Sequence, residues 1–258
     1  MTKKLITFLF VAMLVFTGIS VVKTLSSSGS KNKIKINPDE VSLIQLDTIN
    51  GKIDDDAEVA IIKTSLGEIR AELYTEYAPK TTARFKELAE SGYYEGTYVY
   101  EVQKDLFFSG GSLYNDGTLK EGYNKDDEHI DQETDKNLWP FKGSFMSCGL
   151  TKTSFLSGAK TIFGGSRFMV AGSIEFTDEI RKELIGDKTN TKIEDAFIEY
   201  GGLPNCSQQM TIFAQTYEGL EVIDKIMSMK SDEKTKKPLE DITIDKVEVC
   251  TYKESFEK

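Results

Sequence analysis

The sequence predicts a mainly β domain, a barrel or a sandwich, preceded by a membrane-directed N-terminal segment. Two observations predict the domain. Short runs rich in β-branched and aromatic residues recur between glycines ("TYVYEV", "LFFSGG", "GSFMSCGL", "FGGSRFMVAG", "MTIFAQTY"), and helical patterns are few. The third observation predicts the leader: after Lys3 and Lys4, "LITFLFVAMLVFTGISVV" runs from Leu5 to Val22 without a charge.

Residues 1–22 read as a signal anchor or a signal peptide. The run reaches the lower limit for spanning a bilayer and lacks an Ala-x-Ala site, which favours the anchor, although Gly18 and Ser20 offer a small pair for cleavage. Lysines before the span place the N-terminus in the cytoplasm and the rest outside. The expected location is therefore the cell membrane, single-pass, with the domain extracytoplasmic, or secretion if the segment is cleaved. Residues 23–56 open on Lys23 and "TLSSSGSKNK" and read as a flexible stalk and lead-in, in which "VSLIQLD" adds a short strand or lies on the surface.

The folded domain is expected over residues 57–253, with a tail at 254–258. "EVAIIKTSLGEIRAELY" carries two β-rich runs around a Ser-Leu-Gly turn, a hairpin pattern. "APKTTARFKELAESG" changes period: Pro79 suits a first helical turn, Ala83, Phe85, Leu88 and Ala89 can share one face, and Gly92 ends the helix. The stretch from Tyr114 to Asn137 is too polar for a core element and reads as a surface loop. Between Thr177 and Tyr200 two helical patterns end at glycine, "EGLEVIDKIMSM" is a third, and "DITIDKVEVCTY" alternates as a closing strand.

Residues 1–35 hold six lysines and no acid, leaving 26 basic against 42 acidic residues, a balance of −16, for the remainder. Such a domain repels nucleic acid, which is excluded as a partner. Three cysteines without a CxxC pair and a single histidine, His129, argue against a metal site, and no cofactor is implied. Three apolar thiols are favoured over one disulfide with one free thiol.

From about Glu58 to Tyr252 the chain resembles the cyclophilins. "APKTTARFKELAESGYYEGTYVY", "LFFSGGS", "DKNLWPFKGSFMS", "GGSRFMV" and "YGGLPNCSQQMTIFAQTYEGLEVIDKIMSM" with "KPLEDITIDKVEV" follow one another in that family's order. The resemblance implies a closed eight-stranded antiparallel barrel capped by two helices, here with an extra helical insertion. It also implies peptidyl-prolyl cis-trans isomerase activity on proline-containing or extended segments of exported proteins. Rotation about a peptide C–N bond faces a barrier of about 18–20 kcal/mol, and Xaa-Pro exchange takes tens to hundreds of seconds. Catalysis needs an apolar pocket for the proline ring and a donor aimed at the prolyl nitrogen, so that the twisted state is held better than either planar one.

The family's donor is an arginine in a Phe-His-Arg strand, matched here by Val99, Tyr100 and Glu101. A carboxylate cannot donate, so activity is expected to be lowered, and a non-catalytic peptide-binding or chaperone module is the alternative. Other groove positions match Leu106, Phe107, Ser109, Cys148, Gly149, Leu150, Met169, Asn205, Cys206 and Met210, of which Leu106, Phe107, Met169 and Met210 supply an apolar floor. Arg167 stands where the family has glutamine. Either it is a substitute donor, or it pairs with Glu101 across the groove; mutual neutralisation is the simpler account.

Overall fold

The computed structural model describes residues 37, 40–118, 130–148, 150–153, 160–186 and 191–258, with backbone alone for 150–153 and 160–164. The membrane-directed run, the stalk through residue 36 and His129 lie outside the described residues. Among the described residues no helix is long and apolar enough to cross a membrane.

In chain order the elements are α1 (Gln45–Ile49), β1 (Glu58–Thr64), β2 (Gly67–Leu73), α2 (Pro79–Glu90), β3 (Thr97–Val99), β4 (Glu101–Gln103), β5 (Phe107–Gly110) and β6 (Ile130–Asp131). There follow β7 (Ser144–Ser147), β8 (Leu150–Thr153), β9 (Lys160–Gly164), β10 (Phe168–Ala171), α3 (Asp178–Ile185) and α4 (Lys192–Tyr200). A 3-10 turn (Pro204–Cys206), β11 (Ile212–Glu218), α5 (Leu220–Met227), β12 (Ile242–Thr251) and α6 (Tyr252–Ser255) complete the elements among the described residues.

One antiparallel sheet runs β3-β12-β1-β2-β11-β7-β10-β5-β4. Its two end members are separated only by Tyr100, so β3 and β4 are one strand that crosses the seam. Counted once, it gives the eight strands of a nearly closed barrel, and a bridge between Tyr98 and Ser112 helps to shut it. Val99 and Val102 both enter the interior cluster. Strict alternation would place one outward residue between two inward ones, yet here there are two. The extra residue makes Tyr100 and Glu101 a β-bulge opposite Ser109: Tyr100 N–H donates to the Ser109 carbonyl at 3.0 Å while Glu101 pairs with Ser109 in register.

The interior is filled by Ile62, Ile69, Phe108, Phe145, Phe168 and Phe213 among others, and two helices close it. α2 contributes Phe85, Leu88 and Ala89, and α5 contributes Val222, Ile223, Ile226 and Met227. A buried aromatic or aliphatic side chain of this kind is worth about 1.5–3 kcal/mol. Ala83, expected on the buried face of α2, is exposed; Thr81 and Thr82, four and three positions before Phe85, take that side instead.

The lead-in departs from its expected character. "VSLIQLD" ends in helix α1 and is neither strand nor loose surface, because Val41, Gln45 and Thr48 are buried. The Gln45 carboxamide explains this. Its Oε1 accepts from Trp139 N–H at 2.5 Å, and its Nε2 lies within 2.7–3.0 Å of the Trp139 carbonyl, Ser144 Oγ and Gln215 Oε1. Nor is the C-terminus a plain tail from 254: Thr251 and Glu254 form a capping box, and Arg70 Nη1 donates to the buried Ser255 carbonyl at 2.8 Å.

The loop from Tyr114 to Asn137 also does more than cover surface. Residues 119–129 lie outside the described residues, but Ile130 and Asp131 pair with β9. Glu133 accepts from Lys80 N–H and Thr81 N–H at the free start of α2. The insertion helices α3 and α4 form where helical spacing predicts them. They pack with Val41, Trp139 and Phe141 into a satellite cluster in which Phe176 stacks on Phe197.

Beside Gln45, Thr48 Oγ1 donates to Glu72 and lies 2.7 Å from Tyr74 Oη. Burial, followed by the carboxylates of Asp54 and Asp47, raises the Glu72 pKa. A raised carboxyl pKa contributes stability below the unfolded value, near 4.3, and loses it as pH rises through the folded value. Glu72→Gln is therefore expected to melt modestly higher than wild type at pH 7, with the gap closing towards pH 4 in parallel thermal scans.

Candidate active-site groove

The outer face of β5, β10, β7 and β11 carries the candidate groove. Strand pairing aligns Glu101 with Ser109, Ser109 with Met169, Met169 with Met146, and Met146 with Ile212. One row thus runs from a carboxylate over a hydroxyl to three apolar side chains. A second row, Gln103, Phe107 and Ala171, lies two residues along. Alternation sends the residues between them, Phe108, Val170 and Phe145, into the barrel, which locks the register of the outward set.

Of the residues expected in the groove, Leu106, Phe107, Cys148, Met169, Cys206 and Met210 gather in one apolar cluster. Phe107 and Met169 each keep 8% of their surface exposed. Burial pushes the Cys206 thiol up to about 12, which makes it an apolar filler and no nucleophile. Asn205 sits on the 3-10 turn at the rim; its backbone carbonyl accepts from Gln209 Nε2 at 2.7 Å. Gly149 lies outside the described residues, and Leu150 is described only as backbone of β8, where it pairs with Phe163.

Tyr100, Glu101, Ser109, Cys148 and Arg167 form the polar end. The seam bulge delivers the first two together. Tyr100 Oη lies 3.7 Å from Cys148 Sγ, and burial holds the Tyr100 hydroxyl far above its ordinary pKa, so it stays a neutral donor. Burial also raises the Cys148 thiol, against the opposing pull of the Arg167 guanidinium. Glu101 Oε1 accepts from Gln103 Nε2 at 2.9 Å.

Arg167 does not meet Glu101. It is 7% exposed, its Nη1 donates to the Gly117 carbonyl at 2.6 Å, and its guanidinium carbon lies 5.5 Å from the Tyr100 ring centroid. Among the described residues no ion pair joins Arg167 to Glu101. The expected charge pair is thus replaced by a cation over an aromatic ring, with a backbone carbonyl as the acceptor.

Sequence reading missed Met146, Ala171 and Ile212, which complete the floor, and Gln103 and Gly117, which complete the polar end. Met146 was within reach of an alternation argument, standing two residues before Cys148. Nothing local to Gly117 signals its role, because its partners are Tyr100 and Arg167. The three cysteines are free. Among the described residues no group of three or more His, Cys, Asp or Glu side chains is placed to hold a metal ion.

Residues 59–249 match the family described as "Cyclophilin type peptidyl-prolyl cis-trans isomerase/CLD". A Staphylococcus saprophyticus protein named "Putative peptidyl-prolyl cis-trans isomerase" is 27% identical over 201 residues, covering 78% of this chain and 96% of that protein. A Streptococcus pyogenes serotype M6 protein named "Putative bifunctional phosphatase/peptidyl-prolyl cis-trans isomerase" is 28% identical over 190 residues, 73% of this chain and 38% of that one. In fold, the chain is similar to the crystal structure of a Cryptosporidium parvum cyclophilin type isomerase obtained in the presence of the dipeptide Ala-Pro. The TM-score is 0.55 at 20% identity, over 75% of this chain and 99% of the other. With nearly three quarters of its length matched to the family and the eight-stranded barrel in place, the chain belongs to the cyclophilin-type peptidyl-prolyl cis-trans isomerases.

Proposed function

We propose that the chain binds proline-containing segments of exported proteins on the extracytoplasmic side of the cell membrane and isomerises them at reduced efficiency. The observation that carries this reading is the row from Glu101 to Ile212, an apolar floor whose family donor position is occupied by an acid. Phe107 and Met169 offer the surface on which a proline ring sits, and methionine lets that surface adapt. Holding the ring while the preceding carbonyl turns favours the twisted state. Without a donor to the prolyl nitrogen, the largest electrostatic contribution is missing.

The alternative, a peptide holder without turnover, is favoured by one observation: the arginine near the site, Arg167, spends an N–H on the Gly117 carbonyl and its face on Tyr100. The two readings separate in one experiment. NMR exchange between the cis and trans signals of a short Xaa-Pro peptide is recorded with the full chain in mild detergent. Slow but measurable acceleration is expected for wild type, rising about tenfold in Glu101→Arg; this is part of the 10²–10³ that a single donor can supply. Broadened peptide signals with no added exchange would identify the holder. A Glu101→Arg variant no faster than wild type would remove the idea that the missing donor limits the site.

A further inference from the structure

Among the described residues Arg167 is the one buried cation of the groove, and the arrangement around it assigns a role that is neither donor nor counter-ion. Four segments meet at its guanidinium. The seam bulge supplies the Tyr100 ring, the turn after Gly111 supplies the Gly117 carbonyl, the end of β7 supplies Cys148, and Arg167 itself leads into β10. The Cys148 N–H closes the circuit by donating to the Arg167 carbonyl at 3.1 Å.

Tyr100 is held from several directions. The guanidinium lies over its ring, its hydroxyl reaches Cys148 Sγ, and Gly117 packs so closely that an added Cβ would sit 2.5 Å from Tyr100 Cδ2. Gly117 also has a φ of +74°, a conformation that glycine alone adopts freely. A planar guanidinium fits this corner because it stacks and donates in plane at once, which an ammonium does not do. The tyrosine so fixed is adjacent in the bulge to Glu101, at the head of the row that leads to Met169.

We propose that Arg167 is a positioning residue for peptide binding: it clamps Tyr100 and the Gly117 turn into a rigid wall at the polar end of the groove. The inference rests on the reading that this groove takes proline-containing peptides. A wall that is already ordered spares the peptide the entropy of ordering it, so the clamp acts on affinity and leaves the twisting step alone.

The test measures concentration-dependent peptide exchange by NMR for full-length wild type, Arg167→Ala and Arg167→Lys, with thermal melts alongside. A rise of about tenfold in KM for Arg167→Ala with kcat within twofold, only partly recovered by Arg167→Lys, is the expected result. A fall in kcat at unchanged KM would make Arg167 a donor and overturn the proposal. A lower Tm with both constants unchanged would reduce it to a structural tie and overturn it equally. Should wild type catalyse no exchange, the isomerase reading fails by itself, and Kd from peptide line broadening takes the place of KM. Binding about tenfold weaker in Arg167→Ala would then support the clamp, and unchanged binding would sink it.

Discussion

Gly172→Ala is expected to lower the melting temperature by about 6–12 °C and to weaken peptide binding in the same protein. Gly172 follows β10 and presses against the turn that leads into β5. Its N–H donates to the Leu106 carbonyl at 2.6 Å, and a Cβ there would meet the Asp105 carbonyl oxygen at 2.4 Å, the Leu106 carbonyl oxygen at 2.6 Å and Met227 Sδ at 2.8 Å. Two of those contacts are backbone, so relief requires the turn itself to move. Overpacking of this kind costs about 3 kcal/mol, the upper end of the usual range, and each kcal/mol is worth about 2–4 °C in a domain of this size. The displaced turn carries Leu106 and Phe107, which is why binding should suffer too. Thermal unfolding together with peptide titration checks both parts, and a variant that melts within 2 °C of wild type would refute the steric account.

Gln45→Ala should detach α1. The carboxamide is fully buried and bonds the Trp139 backbone on both its N–H and its carbonyl, together with Ser144 and Gln215. Truncation leaves those groups buried without their partner, at about 1–3 kcal/mol for a group left unsatisfied. A total near 3 kcal/mol is expected after relaxation. Because the loss is local, limited proteolysis should cut between Asn50 and Asp56 well before the barrel unfolds, and the Trp139 amide should exchange faster with deuterium. Gln45→Glu keeps the acceptor for Trp139 N–H but exchanges the amide donor for a buried charge, and it should fare no better. Unchanged proteolysis in both variants would show that the apolar contacts of Val41 and Ile44 hold the helix unaided.

What could be read in advance follows from how far apart the interacting residues stand. The β1–β2 hairpin and the helices α2 to α5 are written in neighbouring residues, as alternation, helical spacing and stop signals, and they form where those signals put them. Gln45 is the opposite case: a glutamine in a short run has no pattern, and its partners lie 94 to 170 residues away. Arg167 shows the intermediate case. Its place on the groove side followed from family likeness, but the choice of Gly117 and Tyr100 over Glu101 depended on a turn 50 residues earlier. The floor residues share one apolar cluster, as burial has one interior to offer, whereas the side-chain bonds at the polar end escape prediction, since a directed bond has several acceptors to choose from.

The seam bulge separates two tasks that most strands must perform together. In a regular strand, each outward residue is flanked by inward ones, and a change of chemistry on one face is felt by packing on the other. Here Val99 and Val102 hold the interior, while the pair between them points away from it. The barrel interior therefore places little demand on the pair: Tyr100 answers to the Arg167 and Gly117 corner outside it, and Glu101 to Gln103. Chemistry mounted at this spot can change without renegotiating the fold, so the architecture outlasts any particular pair of side chains the bulge carries.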